Sequence, residues 1–250
     1  MRWSSFATTV FCSGVIVEPP PRSARRSTGV VWPWSLALII LLSLTIRALL
    51  AFAPDPTAEA WLAALGFVPA DVWRVLEGPR SYWLSTDTGA MFWALFVHND
   101  WLHLVGNVAY LWVFGLAVER CVGNWSFLLM FLVLGGLANA VAAWHLKDAN
   151  VLVIGASGGV SAIIGVYLGL FPARRIGLWL PLGLYLQFAR VPALLVIGSW
   201  FALQLLYTVF GPTSTAVAWS AHVGGFLAGL LFALLLRLTW PRLDLSYRGD

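Results

Sequence analysis

Apolar residues along this chain come in six long runs separated by more polar stretches. A helix needs about 20 mostly apolar residues to cross the hydrocarbon core of a bilayer. Runs of about that length lie at 31–53, 101–119, 125–146, 153–172, 190–210 and 219–239. The pattern predicts an all-α membrane protein, in which residues 31–240 form a bundle of six transmembrane helices.

The remaining segments have distinct characters. Residues 1–30 combine prolines with an arginine cluster, which predicts a disordered basic arm; the alternative, a signal peptide, would have its arginines on the wrong side of the apolar stretch. Residues 54–100 carry Trp and Tyr among polar residues, which favours an amphipathic lobe in the outer leaflet over a small extramembrane cap. Residues 177–188 predict an interfacial hairpin rather than a seventh span, and residues 241–250 a short cytoplasmic tail.

Composition and charge support a lipid environment. Hydrophobic residues make up 60% of the chain and charged residues 10%, whereas soluble domains have roughly 25% charged residues. The net charge is +4, and most basic residues flank the apolar runs. This distribution predicts contact with lipid headgroups and does not indicate nucleic-acid binding. Their distribution predicts that both termini are cytoplasmic. The two cysteines are neither paired at metal spacing nor part of a disulfide framework.

Few polar side chains lie inside the predicted spans, and in lipid they are costly unless paired or functional. The second span begins near His103 and Asn107, the fourth near Ser157, and the sixth near His222. All three spans start on the outer side in the predicted orientation. We therefore expect these four side chains at a similar depth, around one cavity open to water from outside.

Together these residue types can support nucleophilic catalysis. A serine hydroxyl needs a base within hydrogen-bonding reach, and histidine is the natural base near neutral pH. His103, Asn107 and the backbone N–H of Ser157 are candidate oxyanion donors. The cores of these spans hold no Asp or Glu, so Ser157 and His222 would form a dyad. Gly158 and its neighbours are expected to bring the fourth and sixth spans together.

Each feature also has an ordinary explanation. The run from Gly155 is typical of plain helix packing, a lone intramembrane histidine can be a proton relay, and His103 with Asn107 can simply bond across helices. His98 and His103 are five residues apart and do not share a helix face as i, i+4 metal ligands do. We expect no metal and no cofactor.

Four stretches resemble the rhomboid family of intramembrane serine proteases. HNDWLHLVGNVAYLWVFGLAVER (98–120) resembles the second span of these proteins, and GASGGVSAIIGVYLGLF (155–171) their nucleophile helix. RVPALLVIGSWFALQLL (190–206) and VAWSAHVGGFLAGLL (217–231) resemble the last two spans of bacterial members.

The resemblance implies hydrolysis of peptide bonds in or near the transmembrane helices of single-span membrane proteins. It implies that Ser157 is the nucleophile, His222 the base, and His103 and Asn107 the oxyanion donors, with His98 in support. It also implies a bacterial inner-membrane location. In the orientation predicted from the basic residues, the active site would face the outer side.

The resemblance extends to neighbouring positions. It makes the fifth span and the loop 211–219 a candidate substrate gate, although ordinary packing is the alternative there. Glu119 and Arg120 match a charged pair that is expected to be structural. Gly155 and Gly158 flank the nucleophile. Ser161 stands where some members have an aromatic residue against the histidine, so the orientation of His222 is left open.

Two other functions are compatible with the composition. An inactive rhomboid-like scaffold that binds transmembrane clients would typically lack the serine or the histidine. A solute channel would need a polar path through both leaflets, but residues 163–170 and 230–236 are almost wholly apolar, so the cavity should be blind. The pocket next to the scissile bond is expected to accept a small residue such as Ala or Gly.

Overall fold

The computed structural model describes residues 32–82, 85–182, 185–211 and 218–239. The predicted arm 1–30, the tail 241–250 and most of the loop 211–219 lie outside the described residues.

The described chain is mainly helical, as predicted. Its helices are α1 (Trp34–Phe52), α2 (Asp55–Leu65), α3 (Pro69–Glu77), α4 (Thr86–Trp93), α5 (Trp101–Tyr110), α6 (Leu116–Val122), α7 (Asn124–His145), α8 (Ser157–Leu170), α9 (Ala193–Phe210) and α10 (Trp219–Thr239). A π-helical turn, Leu111–Gly115, joins α5 to α6, so that Trp101–Val122 forms one continuous helix. This helix and α1, α7, α9 and α10 are the five described helices that are long and apolar enough to cross a membrane.

The fourth predicted span is shorter than its apolar run. Helix α8 has 14 residues, about 21 Å at 1.5 Å per residue, which is less than the roughly 30 Å of hydrocarbon in a bilayer. The residues before it form a loop, in which Val153 pairs with Phe67 and the Gly155 N–H donates to the Ala94 carbonyl at 2.8 Å. Helix length therefore does not establish a count of six spans. Every residue of α8 after Ser157 is buried, so neighbouring helices enclose it.

Glycines bring α8 against its neighbours, which agrees with the predicted contact between the fourth and sixth spans. A Cβ at Gly229 of α10 would collide with the backbone of Ala162, and one at Gly225 would collide with the Gly158 carbonyl. Small residues allow this close approach of two helix backbones. Gly159 instead faces an aromatic ring of α7. Helix α8 thus packs between α7 and α10.

In the lobe between α1 and α5, the short helices α3 and α4 dock on α7. The Trp73 indole donates to the Ala143 carbonyl at 2.8 Å, and the Asn139 amide donates to the Met91 carbonyl at 2.6 Å. Helix α2 buries none of its side chains. The lobe is helical and rich in exposed aromatic residues, and its place in the outer leaflet stays a prediction.

Glu119 ties the end of α6 to the start of α1. Its carboxylate accepts hydrogen bonds from the Ser35 hydroxyl, from the Ser35 N–H at 3.0 Å and from the Leu36 N–H at 3.3 Å. The first N–H groups of a helix have no partner within the helix, and a negative charge there also favours the helix dipole. Glu119 is only 1% exposed, whereas Arg120 is exposed. Of this pair, Glu119 therefore makes the buried hydrogen bonds that connect α6 to α1.

A β-hairpin follows α8 where the sequence predicted an interfacial hairpin. Strands β1 (Arg175–Leu182) and β2 (Tyr185–Pro192) pair antiparallel. A two-stranded sheet has unpaired edges and cannot cross the hydrocarbon core. The alternative of a seventh transmembrane helix is therefore wrong, and the interfacial location stays a prediction.

Candidate active site

Ser157 and His222 meet where two helices begin. Ser157 is the first residue of α8, and His222 lies in the first turn of α10. The distance between Ser157 Oγ and His222 Nε2 is 2.8 Å. His222 is 9% exposed. The hydroxyl can donate its hydrogen to the ring nitrogen, which is the arrangement that a serine nucleophile and its base require.

Gln204 contacts the other nitrogen of the same ring. Its Oε1 lies 2.9 Å from His222 Nδ1, and the side chain reaches the site from α9. An amide oxygen only accepts hydrogen bonds, so a hydrogen bond at this contact requires the ring hydrogen on Nδ1. The Nε2 lone pair is then free to accept the Ser157 proton. Gln204 was not among the predicted site residues. It is a polar side chain within an apolar span, which is the feature that singled out Ser157 and His222 in the other spans.

Ser161 does not reach the histidine. Its hydroxyl donates to the Ser157 carbonyl of its own helix at 2.7 Å. An aromatic contact with His222 comes instead from Trp219, whose ring lies edge-on at 5.7 Å between centroids. Tyr207 of α9 stacks on Trp219 at 4.8 Å. His222 therefore contacts groups from α9 and α10 as well as Ser157 of α8, and the aromatic contact comes from Trp219 instead of position 161.

His103 lies beside the loop that leads into Ser157. Gly155 has a φ of 120°, a region that favours glycine. A Cβ at Gly155 would lie 2.7 Å from His103 Cε1 and 3.7 Å from Ser157 Oγ. Position 155 thus needs glycine for its backbone conformation and for the space that the imidazole occupies, and Gly155 bridges the predicted oxyanion donor and the predicted nucleophile.

His98 supports the same loop from the other side. It is fully buried, its Nε2 accepts the Ala156 N–H at 3.4 Å, and its ring lies edge-on to His103 at 5.0 Å. Burial and, secondarily, the neighbouring His103 lower the pKa of His98 to about 4. At neutral pH His98 is therefore uncharged, and its Nε2 can accept the Ala156 N–H.

Asp100 caps α5 by accepting the His103 N–H at 2.8 Å, which fixes the start of the helix that carries His103.

Asn107 lies one turn after His103 and is buried. Its Nδ2 donates to the His103 carbonyl at 2.9 Å. A side-chain amide has two donor hydrogens, so one remains for an oxyanion. Gly158 has a packing role, because a Cβ there would lie 3.0 Å from the Ala138 Cβ.

Within the described ranges, no group of three His, Cys, Asp or Glu side chains could hold a metal ion. The contact between the Ser157 hydroxyl and the His222 imidazole can support proton transfer, with further hydrogen-bond donors nearby.

A comparison with protein families adds an independent observation. The Rhomboid domain family matches residues 82–239, which is more than half of the chain. The chain belongs to the rhomboid family. The matched range includes all the predicted site residues. Rhomboid membership and the apolar helices make this a multi-pass integral membrane protein in a lipid bilayer.

Similar proteins occur in a plant, a yeast and a bacterium. The chain is 28% identical to rhomboid-like protein 11, chloroplastic, of Arabidopsis thaliana, over 70% of this chain and 63% of the relative. It is 26% identical to rhomboid protein 1, mitochondrial, of Saccharomyces cerevisiae, over 55% of this chain and 38% of the relative. It is also 26% identical to rhomboid protease GlpG of Salmonella paratyphi A, over 84% of this chain and 64% of the relative. The chain thus spans less than two thirds of the length of each relative.

Proposed function

We propose that the protein is an intramembrane serine endopeptidase that cleaves peptide bonds in or near the transmembrane helices of other membrane proteins. The observation that carries this proposal is the 2.8 Å contact between Ser157 Oγ and His222 Nε2, two residues 65 positions apart in sequence. A scaffold that only binds client helices does not need a hydroxyl within hydrogen-bonding distance of an imidazole. The name of the Salmonella paratyphi A relative, a rhomboid protease, supports the same class of reaction.

The mechanism follows from the positions of the polar atoms. Ser157 Oγ attacks the substrate carbonyl carbon while its proton passes to His222 Nε2. The Ser157 N–H, His103 and Asn107 donate to the oxyanion that develops on the carbonyl oxygen. His222 then gives its proton to the leaving amine, and an acyl-enzyme remains. A water molecule that His222 deprotonates attacks the carbonyl carbon of this ester. The bond to Ser157 Oγ breaks, the second product leaves with a new carboxyl group, and His222 returns the proton to Ser157 Oγ.

The substrates in this proposal are single-span membrane proteins with a small residue, such as Ala or Gly, before the scissile bond. The distribution of arginines supports cytoplasmic termini and a site that opens to the outer side. We place the protein in a bacterial inner membrane and divide it into an arm (1–30), a membrane domain (31–240) and a tail (241–250). Cut-site mapping by mass spectrometry on a panel of transmembrane substrates tests the substrate preference.

A serine-directed fluorophosphonate tests the nucleophile directly. The purified wild-type protein is expected to be labelled, and Ser157→Ala is expected to lose the label. Ser199→Ala is the matched control, because the Ser199 hydroxyl is exposed and bonds to its own helix at Val196. Equal labelling of wild type and Ser157→Ala would overturn the proposal. If wild type is not labelled and purifies with intact client helices, the protein is a scaffold instead.

A further inference from the structure

Gln204 is placed differently from its neighbours on α9. It is 9% exposed, whereas Leu203 and Leu205, on either side, are 56% and 44% exposed. A buried polar side chain in a membrane helix is costly unless it is hydrogen-bonded. The partner here is the Nδ1 of His222, at 2.9 Å. Gln204 therefore points inward to the side of the imidazole opposite Ser157.

We propose that Gln204 is a positioning residue for the Ser157–His222 pair: its amide oxygen accepts the Nδ1–H of His222 and so keeps Nε2 free to take the serine proton. This inference rests on the proposed function and deepens it. A neutral imidazole exists in two tautomers, and only the one with hydrogen on Nδ1 can act as the base toward Ser157.

An amide performs this task without a buried charge. In soluble serine proteases a carboxylate holds the histidine in the correct tautomer and stabilises the imidazolium. A carboxylate buried inside a membrane protein would have a large desolvation penalty. The amide oxygen of Gln204 selects the tautomer through its dipole. It stabilises the imidazolium less than a carboxylate would, and this predicts a slower enzyme.

The contact also links the base to α9. Only 17% of the residues in the apolar 18-residue stretch of α9 are buried, against 56% in the corresponding stretch of α7. Much of α9 therefore faces lipid. Near the site, Phe201 of α9 stacks on Phe226 of α10 at 4.5 Å between ring centroids. A displacement of α9 by about 1 Å would stretch the Gln204–His222 contact beyond hydrogen-bonding distance. Orientation of the base therefore depends on α9 being docked against α10.

Three variants test the role of the amide oxygen in cleavage of a transmembrane substrate. Gln204→Met keeps the length of the side chain and removes the acceptor, and we expect kcat to fall about 10- to 100-fold with little change in KM. Gln204→Glu keeps an acceptor. It should restore part of kcat and shift the acid limb of the pH–rate profile to higher pH, because a carboxylate stabilises imidazolium. Ser199→Ala is the matched control on the same helix.

A merely structural glutamine would give a different pattern. In that case Gln204→Met would lower thermal stability, Gln204→Glu would lower it further, and the pH–rate profile of the remaining activity would not move. Wild-type kcat in Gln204→Met, or an unshifted acid limb in Gln204→Glu, would overturn the inference while fluorophosphonate labelling of Ser157 leaves the proposed function standing.

Nitrogen NMR separates this inference from the proposed function. In ¹⁵N-histidine-labelled protein, the His222 signals are assigned by their loss in His222→Phe. We expect the ring hydrogen of wild type on Nδ1, and a mixture of tautomers in Gln204→Met. Identical tautomer populations in the two proteins would overturn the inference. This readout needs no turnover, so it decides the role of Gln204 even if the wild type fails to react with the fluorophosphonate.

Discussion

The backbone of Gly155 lies against the imidazole of His103 so closely that a Cβ at position 155 would be 2.7 Å from Cε1. The same glycine has a φ of 120°. One residue therefore determines both how the chain enters α8 at Ser157 and how near His103 can approach.

Gly155→Ala should damage both features. A non-glycine residue in this backbone region costs about 1–3 kcal/mol, and the added methyl must displace the His103 ring. We expect a lower midpoint of thermal unfolding and a lower kcat. Gly89→Ala is the control, because its Cβ would meet nothing within 4 Å. Wild-type kcat in Gly155→Ala would show that the position of His103 does not matter for turnover.

Ser157 and His222 should act as a unit. Ser157→Ala or His222→Ala is each expected to reduce single-turnover cleavage by about 10³-fold or more, since each removes half of the proton-transfer pair. The double variant should be no slower than the slower single variant. Multiplying effects in the double variant would mean that the two residues contribute independently, which contradicts the dyad.

Gly229→Ala tests the contact between α8 and α10. The new methyl would collide with the backbone of Ala162, so the helices must separate, at an expected cost of about 1–3 kcal/mol. Thermal unfolding in detergent measures this. Gly198→Ala in α9 is the matched control, because nothing lies within 4 Å of its added Cβ. Equal unfolding midpoints for the two variants would argue against the tight contact.

Glu119 should be far more important for stability than Arg120. Glu119→Ala removes the acceptor of the Ser35 and Leu36 N–H groups, and buried donors without a partner cost about 1–3 kcal/mol each. Arg120→Ala changes an exposed side chain and should shift stability by less than about 0.5 kcal/mol. The unfolding free energies of both variants in detergent provide the check, and similar losses would contradict the capping role.

His98 should make stability depend on pH. Its pKa falls from 6.5 to about 4 in the folded protein, mainly through burial, with His103 and Arg47 lowering it and Asp100 raising it. The unfolded chain therefore binds a proton between these values while the folded protein does not. The contribution of His98 to the free energy of unfolding is therefore fully present above pH 6.5. It is lost as the pH falls toward 4, by about 3 kcal/mol in total.

His98→Gln is the variant that tests this pH dependence, because glutamine can still accept the Ala156 N–H but does not titrate. Its unfolding free energy should decline less than that of wild type between pH 7 and 4. Parallel pH curves for the two proteins would assign the decline to other groups.

The meeting of Ser157 with His222 could be predicted because polar residues inside apolar spans are rare and helix direction sets their depth. Gln204 was missed for a related reason. Its depth follows from the sequence, but whether its side chain faces the site or the lipid depends on the rotation of α9. That rotation is set by packing such as Phe201 on Phe226.

The start of α8 shows a second limit. The apolar run predicts a span from residue 153, yet 153–156 form a loop that is held through Phe67 and Ala94. Hydrophobicity alone does not distinguish a buried loop from a buried helix. Ser161 is a third case, because its side chain bonds to the carbonyl of Ser157 instead of filling the space beside His222.

The glycine-mediated contact of α8 with α10 also determines whether water can pass between these two helices. Below Ser161, residues 162–170 of α8 are all buried, and Gly229 lies directly against Ala162. A chain of water molecules has no room along this contact. Under the proposed mechanism, a proton that His222 takes up at the site therefore has no water-filled path along this α8–α10 contact toward the far ends of the two helices.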